Sequence, residues 1–389
     1  MRILITSPVF PPDLGGPAVY VPSLARFLQD RGHDVRVVAF CSQENPQGFT
    51  FPIRTVPRGP LPIRYLKAFF AVFAESKNVD LVYVQEHLAL LHVLAAKLRG
   101  KPTVIRIMVD GAWEIAHRKG WCGDDDIVTF QKHTYDWRVK LTRRLQRTWW
   151  GWCKHIVSCS EFLRQILIQS YGVDPGKVQK IFNAYHGQNP DSVSSDKASI
   201  RADLGLETEK RYVLTICRLM VWKGVSGILE ALAKLPSDVH LLIAGDGDME
   251  EPWKELSREL GISERVTFLG NVPHAEIPLY IRASDVFVLN SRYEGLSHTL
   301  LEVLHLDTPI VASNVCGNPE VVEDEKNGLL VDPHDSVQLT SAIQRILSDR
   351  DLGEKFVAAG RSLRGQFDRE ATFGEVERAL LSAAGQPLP

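Results

Sequence analysis

The stretch that most constrains this chain is Ser284–Leu304. A strand-like apolar run, Val286–Leu289, meets a polar turn, Asn290–Gly295. An amphipathic run then starts near Ser297 and continues through Leu300, Leu301, Val303 and Leu304. Strand, turn and helix N-terminus in this order form the usual anion seat of an open α/β sheet. Glu294 stands just before the expected helix, and Glu302 lies eight residues on, two turns inside it. One carboxylate is therefore expected at the mouth of a crevice, the other on a helix face that points into it. A carboxylate accepting from two vicinal hydroxyls suits a ribose, and another suits a sugar ring. The Gly295, Leu296 and Ser297 amides are placed to meet a phosphate.

The 389 residues are too many for one hydrophobic core, so two domains are expected. With 44% hydrophobic and 24% charged residues, the chain has the composition of an ordinary globular protein rather than a disordered one. A net charge of −2 gives no global reason to expect nucleic acid as a partner. The six cysteines are scattered without a C-x-x-C pair, which fits reduced thiols in a cytosol. Met1–Ile5 is too short an apolar run for a signal peptide, and no run approaches the roughly 18 apolar residues of a membrane span. A cytoplasmic protein is expected, with room for peripheral contact at the inner membrane surface.

Along the first half, strands alternate with helical stretches, which implies a parallel sheet covered on both faces. Arg2–Thr6 reads as the first strand, and a helix is expected from about Pro17 to Arg31. Asp34–Phe40, Leu81–Val84 and Thr103–Met108 follow as strands, with a helix over Leu88–Leu98. Gly15-Gly16, between first strand and first helix, reads either as a tight turn or as a close backbone approach to a diphosphate. After Thr103–Met108, Asp110 reads either as a carboxylate facing the ligand or as the cap of the next helix.

Asp126–Trp152 reads as one long helix, with Leu141, Leu145, Trp149 and Trp152 on one face. Lys140, Arg143, Arg144, Arg147 and Lys154 lie on the other, with Trp150 on the polar side. The basic, Trp-rich segment 127–154 is open to three readings: a solvated face, a seat for a phosphorylated acceptor, or weak docking on anionic lipid. Val178–Tyr185 reads as the strand closing the first domain, and His186–Ala198 as the linker.

The second domain opens with a helix near Ile200–Leu204 and a strand, Tyr212–Ile216. Arg218 and Lys223 follow that strand at its carboxyl end, where two cations on one loop can neutralise charge on a departing diphosphate. Further strands are expected at Val239–Ala244, Val266–Leu269 and Pro309–Ala312. Gly317–Glu320 is expected to open a helix. Two D-x-D patterns, Asp124–Asp126 and Asp246–Asp248, read as a helix cap and a βα turn, so no obligatory metal is expected.

Arg218, Lys223, Glu294 and Glu302, with Cys316–Asp324 after the next strand, resemble the retaining glycosyltransferases of family four. The resemblance covers nearly the whole chain and is looser in the first half. It implies an α/β protein of the GT-B fold, two Rossmann-like domains facing each other across an interdomain cleft. The domains are expected at 1–186, joined by a C-terminal crossover helix 368–389, and at 187–367.

The implied activity moves a hexose-type sugar from a nucleoside diphosphate sugar, with UDP-sugar favoured, to the hydroxyl of a sugar or alcohol acceptor. Retention by front-face displacement needs no protein nucleophile, metal or other cofactor. The resemblance casts Arg218, Lys223 and Glu294 as catalytic, and Asp110 is a further catalytic candidate from its own place after Thr103–Met108. The resemblance places the donor on Gly15, Gly16, Gly295, Leu296, Ser297 and Glu302, with the backbone at Val272 against the base. Asp110 departs from the histidine common in the family. A nucleotide-sugar epimerase of the same fold, a carbohydrate phosphorylase and a non-catalytic sugar-nucleotide-binding protein remain alternatives.

Overall fold

Apolar runs buried on both faces assemble into two all-parallel sheets. A computed structural model describes residues 1–13, 15–85, 89–187, 189–193 and 196–387. Leu88 of the expected Leu88–Leu98 helix, Gln188, Ser194 and Ser195 of the linker, and Leu388 and Pro389 of the final helix lie outside the described residues.

The first sheet contains β1 (Arg2–Ser7), β2 (Asp34–Cys41), β3 (Ile53–Pro57), β4 (Leu81–Val84), β5 (Thr103–Ile107), β6 (His155–Ser158) and β7 (Val178–Lys180). Its order is β3-β2-β1-β4-β5-β6-β7. Ile3 of β1 sits beside Val35 on one side and Leu81 on the other. The second sheet contains β8 (Arg211–Ile216), β9 (Val239–Ala244), β10 (Val266–Gly270), β11 (Val286–Leu289), β12 (Ile310–Ser313) and β13 (Leu329–Val331). Its order is β10-β9-β8-β11-β12-β13. Both sheets follow the Rossmann order, and in each the chain changes direction beside the first strand, between β1 and β4 or between β8 and β11. Ligands of such sheets bind outside the carboxyl ends of the strands at that change of direction.

The chain divides into one unit of Met1–His186 with Arg369–Pro389 and a second of Gly187–Asp368. The last helix, Arg369–Ala383, completes the core of the first unit. Phe373 packs edge-on against Tyr20 and Phe27, each at a ring separation of 5.4 Å. Glu377 pairs with His33 at 2.8 Å and with Arg31 at 3.3 Å.

Four expectations need correction. The segment 127–154 is not one helix: Ile127–Lys132 ends at His133, and a second helix, Trp137–Trp152, starts afresh. Asp136 makes the break, because its backbone is extended and its carboxylate accepts from the Arg138 and Val139 amides. The second helix is also rotated from the expected wheel. Leu141 and Leu145 are exposed, whereas Val139, Gln146, Trp149 and Trp150 are buried. Trp150 is 2% exposed and packs edge-on against Tyr171, so it offers nothing to a lipid surface.

β7 ends at Lys180 rather than Tyr185, since its pairing with the four-residue β6 stops at Ser158. The chain beyond it instead turns Asn183 inward, where its side-chain oxygen accepts from the buried Arg106. Finally, the expected helix at Gly317–Glu320 is a single 3-10 turn, Asn318–Glu320.

Candidate active site

At the carboxyl end of β8 the chain enters Cys217–Gly224, with Arg218 exposed and Lys223 at the end of a 3-10 turn, Val221–Lys223. Neighbouring β11 leads into Asn290–Ser297. Two contacts lock these loops together. Gly224 has φ 65°, and a Cβ there would lie 2.2 Å from the Asn290 carbonyl oxygen. Asn290 in turn donates its side-chain amide to the Gly224 carbonyl at 3.1 Å. The close approach needs both the left-handed backbone and the missing side chain that only glycine supplies.

Across this junction Lys223 Nζ lies 2.5 Å from Glu294 Oε1, with side chains 18% and 13% exposed. Burial works to discharge the Lys223 ammonium, but Glu294's attraction and hydrogen bond outweigh it, and the pKa is raised. Burial pushes the neighbouring Cys217 thiol up to about 12, so it is no nucleophile at neutral pH. Arg218 has no carboxylate within ion-pair distance among the described residues, and its charge faces solvent.

The helix after β11 is His298–His305, capped by Ser297, whose hydroxyl accepts from the Leu300 amide at 3.3 Å. Gly295, Leu296 and Ser297 are buried in the turn that leads into it. A third loop closes against this turn: a Cβ on Gly317 would lie 2.1 Å from the Gly295 carbonyl oxygen, and the Gly317 amide donates to the Glu294 carbonyl at 3.2 Å. Glu302 sits inside the helix with His274 Nε2 at 3.7 Å. Burial raises the Glu302 pKa, and His274 opposes that rise. Val272 lies two residues before His274, half-buried in the turn after β10.

The remaining sequence candidates belong to the first unit. Gly15 is the N-cap of the Gly16–Asp30 helix. Asp110 takes up the capping alternative. It is 1% exposed and caps Gly111–Arg118 by accepting from the Ala112 amide at 3.1 Å. Its two oxygens also accept from Gln131 at 2.7 Å, Gln146 at 2.8 Å and the Tyr171 hydroxyl at 2.7 and 2.8 Å. Burial, and then this carboxylate, push the Tyr171 phenol far above its ordinary range.

In the first D-x-D stretch, Asp126 caps Ile127–Lys132 and Asp125 accepts from Tyr135 and pairs with His133 at 2.8 Å. The second lies after β9, where the Asp246 carbonyl accepts from the Leu219 amide at 2.7 Å, so it packs against the loop bearing Arg218. Among the described residues no group of three or more His, Cys, Asp or Glu side chains is placed to hold a metal.

Sequence reasoning missed His274 and Asn290. His274 carried a weak signal, two positions after Val272. Asn290 carried none, because its role is set by where Gly224 lies in space.

Residues 14–186 match the family model described as Glycosyltransferase Family 4, and residues 196–363 match the one described as Glycosyl transferases group 1. An uncharacterized glycosyltransferase of Methanocaldococcus jannaschii is 25% identical over 373 residues, covering 92% of each chain. A lipopolysaccharide core biosynthesis glycosyltransferase of Rhizobium meliloti is 34% identical over 172 residues, 44% of this chain and 50% of the relative. Among solved structures, Anabaena HepE in complex with UDP-glucose aligns over 98% of this chain and 100% of its own, with a TM-score of 0.78 and 21% identity. With both halves matched and the two parallel sheets in place, the chain belongs to the GT-B glycosyltransferases of the group 1 type.

Proposed function

We propose that this glycosyltransferase moves a hexose-type sugar from a nucleoside diphosphate sugar, UDP-sugar first among them, to an acceptor hydroxyl with retained anomeric configuration and without a metal. The observation that carries the reading is the Lys223–Glu294 pair, held 2.5 Å apart at the carboxyl ends of β8 and β11 with Arg218 on the same loop. Lys223 is preorganised by Glu294, so it needs little rearrangement as charge grows on the leaving diphosphate. Glu294 holds Lys223 charged and turns its remaining acceptor capacity to the sugar hydroxyls. The Gly295–Ser297 turn supplies amides and the helix dipole to a phosphate.

Glu302 accepts from the ribose hydroxyls, with His274 beside it and the Val272 backbone against the base. Asp110 acts as a positioning residue. With its carboxylate engaged by four partners, it fixes the loop after β5 rather than attacking the donor. The leaving phosphate oxygen takes the acceptor's proton on the face that the acceptor enters. UDP-glucose bound to the structurally similar HepE supports the choice of donor.

The test is a turnover screen of UDP-, GDP-, ADP- and TDP-hexoses with sugar and polyol acceptors, each with EDTA, read by proton NMR. The reading expects one donor to be consumed, with the product anomer matching that of the donor. An inverted product, or turnover abolished by EDTA and restored by a divalent cation, contradicts it.

A further inference from the structure

In the first unit, a cavity of about 370 Å³ opens beside the Trp137–Trp152 helix, walled by Lys140, Arg143, Arg144, Arg147, His133 and Tyr135. Among the described residues none of these four Lys and Arg side chains has a carboxylate within ion-pair distance. The acid nearest that wall in the chain, Asp136, caps the helix and pairs with Arg138, and Asp125 is engaged by His133 and Tyr135. The four cations also fall at the spacings that bring helix side chains together: Lys140 with Arg143 and Arg144, and Arg147 with Arg143 and Arg144. Like charges three and four apart repel, so the sequence keeps an arrangement that weakens its own helix. Such clustering around a concave, ligand-sized space is what an anion would relieve.

Arg143 is built in rather than free-swinging. It donates to Gln131 Oε1 at 3.1 Å and lies over the Phe130 and Tyr171 rings. Gln131 in turn donates to Asp110, at the end of the loop after β5. The cavity wall is thus tied to the carboxyl end of a central strand through two hydrogen bonds.

We propose that this cavity is a binding site for the phosphate group of a phosphate-bearing ligand, with Arg143 as the fixed donor and Lys140, Arg144 and Arg147 as the mobile ones. Guanidinium forks match phosphate oxygens two at a time, which favours phosphate over a lone carboxylate. Taken as the seat of an acceptor's phosphate, the site rests on the transferase reading above. As a phosphate site it does not, because binding can be read without donor or turnover.

The experiment compares the full chain with a Lys140→Gln/Arg144→Gln/Arg147→Gln variant, which leaves the partly buried Arg143 and its contacts in place. Calorimetry with glycerol 1-phosphate and inorganic phosphate reads soluble ligands, with chloride at matched ionic strength as the control. Sedimentation with phosphatidylglycerol vesicles against phosphatidylcholine vesicles reads a lipid headgroup. Loss of three charge-assisted contacts should weaken phosphate binding at least ~10-fold. The ligand-free variant should also melt higher than wild type, since the repulsion is relieved.

Soluble phosphate binding lost in the variant assigns the site to a soluble ligand. Phosphatidylglycerol binding alone, lost in the variant, assigns it to a headgroup. A variant that melts cooperatively yet binds every probe as tightly as wild type, or a wild type that binds none, overturns the proposal.

Discussion

Lys223 and Glu294 come from loops 71 residues apart in sequence, and their charged atoms lie 2.5 Å apart on the second unit. Among the described residues, few ion pairs are both so close and so little exposed. The pair therefore has two separable consequences, one for turnover and one for stability.

Lys223→Ala should lower kcat by about 10²- to 10³-fold, as expected for a lost donor to the developing charge, with a much smaller change in donor affinity. Equal losses in kcat and binding would make it a ground-state contact instead. The same substitution strands Glu294, so stability should fall by about 3 kcal/mol or more. The double variant Lys223→Ala/Glu294→Gln should recover part of that loss, because no unpaired charge remains. Urea unfolding of the two variants side by side checks this.

The pair also sets an alkaline limit. The folded-state pKa of Lys223 is raised, so its stabilisation is complete below the ordinary lysine value and fades as pH climbs through the raised one. Wild type should lose stability to a Lys223→Met/Glu294→Gln control above about pH 10.4, the ordinary lysine value, and not at neutral pH. Thermal unfolding between pH 8 and pH 11.5 measures the difference.

Glu302 carries the opposite sign for a carboxylate. Its folded pKa is raised by burial, so the unfolded chain releases this proton first and stability declines as pH rises from the ordinary glutamate value through the raised one. Glu302→Gln should therefore be more stable than wild type at pH 7.5, with the gap closing as pH falls through about 4.3. The same variant should bind a nucleoside diphosphate less well. Urea titrations at pH 7.5 and pH 4 decide the first half.

Gly317→Ala tests the loop geometry alone. Its φ of −87° suits any residue, so the substitution acts only through the Cβ placed 2.1 Å from the Gly295 carbonyl oxygen. Destabilisation of about 1–3 kcal/mol is expected from the forced shift, with loss of activity as the Gly295–Ser297 turn moves. Unchanged activity would detach that turn from the chemistry.

Much of the second unit was legible, because local pattern and tertiary role coincide there. Val286–Leu289 is a strand at the expected bounds, and Ser297 is a helix cap whose hydroxyl accepts from the Leu300 amide three residues on. A strand buried on both faces announces itself as an unbroken apolar run, and a cap by residue type.

What stayed hidden depends on groups distant in sequence. Asp110 read equally as ligand contact or cap, and only Gln131, Gln146 and Tyr171 closing on it give the capping role. Trp150 reads as polar-side because Arg143 and Arg147 share its face of the helix, and only the distant Tyr171 packing on its ring accounts for its burial. Gly224 and Gly317 were not singled out for the carbonyls they approach, since nothing nearby in sequence reveals those neighbours.

The central claim is that the second unit binds a nucleoside diphosphate through the loops that join Lys223, Glu294 and Glu302. Calorimetric titration of UDP, GDP, ADP and TDP into wild type and Glu302→Ala, all in EDTA, tests it most directly. The account predicts saturable one-to-one binding of one nucleotide, UDP first, weakened by at least ~10-fold when the glutamate's hydrogen bonds are removed. Binding of none of the four at millimolar concentration, or equal affinity in the variant, would contradict it.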